Sequence, residues 1–268
     1  MAMRTKYRGG RGYIHPAKRH VAPSVTTVLS AVWPSEALDR WKQVQPIEWI
    51  LNHPEQYEQL FEHEDTKAAA RVILSASEKA GRKSPALAYG NWVHVMVERS
   101  ILDGEIPNDF PPPTHLGMDE YEIQRVKWQI QALFSELKMR NLTPVYTEAP
   151  AFGEINGEKW AGTIDIIAER DGSPVPVDVK TGKSIWVTHA VQLAAYALCN
   201  EYCPTLKDSN LRPLPESTGA VVAHMPRHSQ DTFLYPVNLK VAAEAWMAAL
   251  HLYHKTADDI GWAFDTSL

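Results

Sequence analysis

Residues 162–180 read GTIDIIAERDGSPVPVDVK, and this stretch decides the fold. Asp171-Gly172 is a dipeptide favoured in two-residue hairpins, and the apolar runs from Lys159 to Glu169 and Val175 to Lys180 read as its strands. If those two residues form the loop, Arg170 pairs with Ser173 and, counting outward, Asp165 faces Asp178. The step count makes it a non-hydrogen-bonded pair, with Cα atoms about 4.5 Å apart. Lys180 lies two residues beyond Asp178 and points to the same face. Pro174 and Pro176 fall at positions that need not donate to this hairpin partner. Two carboxylates that close destabilise a sheet unless a cation sits between them. A bulge in either strand undoes the facing, and the competing reading is an ordinary hairpin with exposed charges.

Two aspartates suffice for a hard cation such as Mg²⁺, which takes oxygen ligands and keeps several waters. A neighbouring lysine can orient an attacking water or neutralise charge developing on a phosphate. The chemistry so indicated is phosphodiester hydrolysis.

Working outward, Pro144 to Phe152 reads as a preceding strand, turned by Asn156-Gly157. A helix over 187–200 follows, then strands over 219–224 and 232–237 and a closing helix over 239–255. Upstream, helices are expected over 54–80 with Asp65 as a cap, over 86–102, and over 117–140. Ser35 is a further N-cap, for a helix carrying Leu38, Trp41 and Trp49 that Pro46 interrupts. The pattern predicts an α/β (α+β) fold with a central mixed sheet flanked by helices. Residues 1–85 read as a basic arm and helical N-terminal region, and 86–268 as the core with its C-terminal helix.

The chain has 268 residues, 44% of them hydrophobic and 22% charged, a globular composition. No apolar run approaches the roughly 20 residues that span a bilayer, and the N-terminus has no signal-peptide core. Two cysteines, Cys199 and Cys203, fit a reducing cytoplasm and read as buried small hydrophobes. Net charge is −5, yet residues 1–20 alone carry +6, which leaves −11 for the remainder. A basic arm on an acidic body reads either as a phosphate grip or as a solvated tail.

Gln192 and Tyr196, at i and i+4, share one helix face and are placed to contact a phosphate or stack on a base. His94 lies on another helix with Glu98 one turn along the same face. Glu148 lies on the strand over 144–152, where an exposed strand charge is one reading, and Glu98 is open to the same reading on its helix. Trp33, Trp41 and Trp49 read either as core or as base-stacking residues at a helical gate.

Taken together, Gly90…His94, Gly162…Asp165, Asp178-Val179-Lys180 and Gln192…Tyr196 resemble the RecB-like branch of the PD-(D/E)xK nuclease superfamily, over roughly residues 88–225. Residues 23–29, PSVTTVL, with Trp41-Lys42 downstream, are similar to the entry of phage-encoded RecB-like exonucleases and of the mitochondrial genome-maintenance exonuclease. The resemblance implies a restriction-endonuclease-like core and Mg²⁺- or Mn²⁺-dependent cleavage of DNA, leaving a 5′-phosphate and a 3′-hydroxyl. By it, Asp165, Asp178 and the Val179 carbonyl are metal ligands, His94 is an additional one, and Lys180 positions the water. Gln192 and Tyr196 support the substrate strand. For Glu148 and Glu98 the resemblance implies the other reading, carboxylates supporting the metal ligands. Ile164 stands where the superfamily's name has proline. Members of the branch with four cysteines hold an iron–sulfur cluster, and two cysteines cannot supply one.

The function expected is a deoxyribonuclease, foremost an exonuclease acting at DNA ends in replication, recombination or repair, in a host cytoplasm if phage-encoded. DNA is the partner, alongside recombination or replication proteins; no membrane is, and oligomeric state is left open. The rivals are a flap or branch endonuclease, a DNA-binding module without chemistry, and a hydrolase of another phosphate ester.

Overall fold

A computed structural model describes residues 4–7, 10–33, 44, 46–55, 65–81, 85–205 and 208–258. Three strands open the chain: β1 (Arg4–Tyr7), β2 (Gly10–Ile14) and β3 (Val21–Pro23), followed by α1 (Val25–Val32). Helices α2 (Thr66–Gly81), α3 (Pro85–Asp103) and α4 (Glu120–Met139) come next. Then follow β4 (Thr143–Ile155), β5 (Glu158–Arg170), β6 (Ser173–Lys180), α5 (Val187–Ala197), β7 (Glu201–Tyr202) and β8 (Arg212–Pro213). The chain continues through β9 (Val221–His224), β10 (Phe233–Pro236) and α6 (Leu239–Asp258).

The main sheet has seven strands in the order β10-β9-β6-β5-β4-β7-β8. It is mixed, because β6 and β9 run parallel while their neighbours pair antiparallel. The architecture is therefore α+β with helices on both faces of a mixed sheet. On one face α3 and α4 bury Trp92, Met96, Ile130 and Leu133 against Val175, Val177 and Val179 of β6. On the other, α1, α5 and α6 bury Val28, Leu193, Trp246 and Leu250 against Trp160 and Ile164 of β5. No helix among the described residues is long and apolar enough to cross a membrane.

Local chemistry sets the element ends. Asp119 caps α4, its Oδ1 accepting from the Glu122 N–H at 2.7 Å while Glu122 reaches back to the Asp119 N–H. That reciprocal pairing satisfies two donors the helix start would otherwise leave open. Asp65 accepts from the Lys67 N–H where α2 begins, as its sequence position indicates. Asp171 and Gly172 both have positive φ, 53° and 77°, as a two-residue hairpin turn with the right twist requires. Asn156-Gly157 does the same for β4 and β5, at 52° and 81°. The Ser35-capped helix and Trp41 lie outside the described residues. Trp49 is buried and stacks on His53, whereas Trp33 is 40% exposed.

The arm is neither a solvated tail nor separate from the core. β1, β2 and β3 form an antiparallel sheet, and Ser24 bridges Ala161 of β5. Tyr13 and Ala22 are buried with Phe152 and Ala161, while Val25, Val28 and Leu29 join the α5–α6 core. The described residues of the arm through α1 thus pack against the main sheet. The strands escape a periodicity reading because they are only 3–5 residues long.

Candidate metal centre

The β5–β6 register runs from Arg170↔Ser173 to Ile166↔Val177, as the turn dictates, but pairing stops one step short of Asp165 and Asp178. Instead the Val179 N–H donates to Asp165 Oδ2 at 2.8 Å. On the other side of β5, Thr147 pairs with Ile166 and Ala149 with Ile164, so Glu148 and Asp165 lie opposite each other without a paired register. Glu148 has φ +48°, a left-handed conformation that costs a non-glycine residue energy and in which a mid-strand residue is held only by its surroundings. Ile164 and Ile166 are buried in different cores although residues two apart normally share a face. The strand alternation therefore breaks at Asp165, and the direct Asp165–Asp178 facing expected from the hairpin gives way to a different grouping.

That grouping is His94, Glu148 and Asp165, each half-buried, whose donor atoms all lie within 4.8 Å of one another. His94 Nδ1 stands 3.5 Å from Asp165 Oδ2. Donors about 2.1 Å from one octahedral ion are separated by about 3 to 4.2 Å, so the His94–Asp165 spacing of 3.5 Å suits a shared ion. Burial first, and the Asp165 carboxylate next, push the Glu148 carboxyl up to about 7. Two carboxylates and an imidazole crowded in this way fit a divalent cation with oxygen and nitrogen ligands. Glu148 is thus no exposed strand charge. Glu98 lines the same cleft.

Asp178 sits beside this group rather than within it. It is 1% exposed; Gln192 Nε2 donates to its Oδ1 at 3.3 Å, and Lys180 Nζ lies 2.6 Å from its Oδ2. The lysine contact is a short ion pair that compensates the charge on Oδ2. Burial raises the Asp178 carboxyl above the usual carboxylate range, against the pull of Lys180. Burial opposes the charge on Lys180, but Asp178 and Asp165 outweigh it and raise the ammonium above its ordinary value. Lys180 is therefore a fixed cation, suited to holding a water or a phosphate oxygen and not to accepting a proton. Asp178 and Lys180 share one face, as their spacing indicates, because Val177 and Val179 take the other into the α3–α4 core.

The Val179 N–H faces β5, and a strand residue's carbonyl points to the same side as its N–H, toward Asp165. Gln192 and Tyr196 meet as their i, i+4 spacing predicts, Gln192 Nε2 donating to the Tyr196 hydroxyl at 3.1 Å. Tyr196 is 3% exposed and packs so closely on Gly162 that a Cβ there would lie 2.5 Å from its ring, which leaves no open ring face for a base. Its part is to brace Gln192, which in turn holds Asp178. Cys199 and Cys203 are buried, and burial raises the Cys199 thiol to about 12.

These residues open onto a cleft of about 620 Å³. Its far wall is made by the N-terminal strands and by Ser24 and Thr26 at the start of α1. Arg4, Arg11 and Tyr13 line it together with His94, Glu148, Asp165 and Gln192. Arg4 and Arg11 belong to the basic run that gives residues 1–20 their +6 charge, whereas Tyr13 carries no such signal.

No family model matches the chain, and no curated protein does. Among solved structures it is similar to one titled "Crystal structure of SSO0001", at 13% identity and a TM-score of 0.26, over 61% of this chain and 87% of that one. A likeness at that level carries no argument about function.

Proposed function

We propose that this chain is a divalent-metal-dependent deoxyribonuclease of the RecB-like kind, foremost an exonuclease acting at DNA ends. The observation that carries the reading is the convergence of His94, Glu148 and Asp165 beside the buried Asp178–Lys180 pair. His94, Glu148 and Asp165 are the residues that would hold Mg²⁺ or Mn²⁺, with the Val179 carbonyl on the adjoining strand β6 and Asp178 as the next carboxylate. Such an ion polarises a phosphate and lowers the pKa of bound water.

The chain's own groups divide the rest of the work. Lys180 supplies a fixed positive charge beside the carboxylates, where charge grows on the phosphate during attack. Asp178 holds Lys180 in place and is itself positioned by Gln192 and Tyr196. Val179 fixes the orientation of Asp165 through its N–H. A protein that only bound DNA would gain nothing from carboxylates set against phosphates, which disfavours the inert DNA-binding reading.

Digestion of end-labelled linear and covalently closed circular DNA, single- and double-stranded, with Mg²⁺ or Mn²⁺ tests this. Loss of linear DNA with circles spared is the expected result. Cleavage of circles would replace the exonuclease with an endonuclease, and no cleavage of any form would remove the nuclease reading.

A further inference from the structure

We propose that the face of the β1–β2 ribbon bearing Arg4, Arg11 and Tyr13 seats a second phosphate of the DNA strand, apart from the one meeting the carboxylates. This rests on the nuclease reading and adds a substrate contact to it. The ribbon register pairs Arg4 with Tyr13 and Lys6 with Arg11. Directly opposed residues share a face, and so do residues two apart on one strand. Arg4, Lys6, Arg11 and Tyr13 therefore stand on a single face, and three of them line the cleft.

Two features mark this face as an anion site. Lys6 and Arg11 are like charges placed directly across a two-stranded ribbon, an arrangement that costs stability unless an anion relieves it. Among the described residues no carboxylate does so, since neither Arg4, Lys6 nor Arg11 forms an ion pair there. Their positions are nevertheless fixed. Arg4 Nη2 donates to Thr163 Oγ1 at 3.2 Å, and the same oxygen lies 2.9 Å from the Tyr13 hydroxyl. Thr163 stands two residues before Asp165, so the bond ties the guanidinium to the strand that carries the candidate metal ligand.

Arg11 is fixed through its backbone. Its N–H donates to Thr27 Oγ1 at 2.9 Å, and that hydroxyl donates back to the Arg11 carbonyl at 2.8 Å. Gly10 allows the close seating, because a Cβ there would come within 2.3 Å of Thr27 Cγ2. The backbone is clamped, and among the described residues the Arg11 guanidinium has no ion-pair partner. Guanidinium offers several N–H donors in a fork that matches phosphate oxygens. Contacts of this type read the backbone and not the bases, so the site holds a strand without regard to sequence.

Anisotropy of a fluorescent single-stranded oligonucleotide, titrated with protein in Ca²⁺ over a range of salt, tests the site. Arg11→Gln and Arg4→Gln are each expected to weaken binding about tenfold at low salt and to lower the salt slope by about 0.7 per lost phosphate contact. Arg11→Lys should restore most of the slope, since the charge returns. Arg11→Gln is the cleaner variant because Arg4 also holds Thr163. Wild-type affinity and slope in both glutamine variants would overturn the site while leaving the nuclease reading intact. Wild-type protein that neither binds nor cleaves DNA would overturn both.

Discussion

Replacing Asp165 with asparagine is expected to reduce Mg²⁺- or Mn²⁺-dependent DNA cleavage by about 10³-fold or more, with the fold preserved. Asp165 Oδ2 both approaches His94 Nδ1 at 3.5 Å and accepts the Val179 N–H at 2.8 Å. Asparagine keeps an oxygen for that N–H and removes only the charge the metal requires. Circular dichroism and the metal-free melting temperature should therefore stay near wild type while initial rates on linear DNA collapse. A near-normal rate would show that the chemistry does not run through this carboxylate.

Lys180→Met is expected to lower the cleavage rate by about 10²- to 10³-fold and also to destabilise the protein at pH 8. Removing one partner of a buried ion pair strands the other charge, a loss of several kcal/mol when burial is complete. The Lys180 side chain is 22% exposed, so about 1 to 3 kcal/mol is the appropriate expectation. Adding Asp178→Asn removes the stranded charge, and the double variant should regain most of the lost stability and none of the activity. Urea unfolding and rate measurements on the three variants separate the two roles. Recovery of activity in the double variant would make Lys180 a purely structural cation.

The hairpin and the helices were legible because their signals are local. Asp171-Gly172 fixes its own turn and, with it, the register as far as Ile166↔Val177. Spacing alone placed Asp178 with Lys180 and Gln192 with Tyr196, since period 2 and period 3.6 determine which side chains share a face. The Glu148 position was not legible, because no neighbour in sequence signals a left-handed residue inside a strand. It sits opposite Asp165, between the pairs Thr147↔Ile166 and Ala149↔Ile164, and on the other side of β5 the pairing ends at Ile166↔Val177, before Asp165 meets Asp178. The arm's strands were hidden for a related reason: Tyr13 and Ala22 are its few buried anchors, and their partners Phe152 and Ala161 lie far along the chain. Charge alone pointed to the arm, and only its folding brings Arg4 and Arg11 into the cleft.

The claim that a divalent ion is held by His94, Glu148 and Asp165 is tested most directly by melting the protein with and without Mn²⁺ at pH 6 and pH 8. The Glu148 carboxyl, raised to about 7, is mostly protonated at pH 6 and ionised at pH 8, so protons compete with the metal only at the lower pH. In the metal-free protein this group lowers stability as pH rises from about 4.5 to about 7, because the unfolded chain ionises first. The account predicts a Mn²⁺-induced rise in melting temperature that is larger at pH 8 than at pH 6, and that Glu148→Gln both shrinks and flattens. A Mn²⁺ shift that is absent in the wild type, or undiminished in Glu148→Gln, would contradict it.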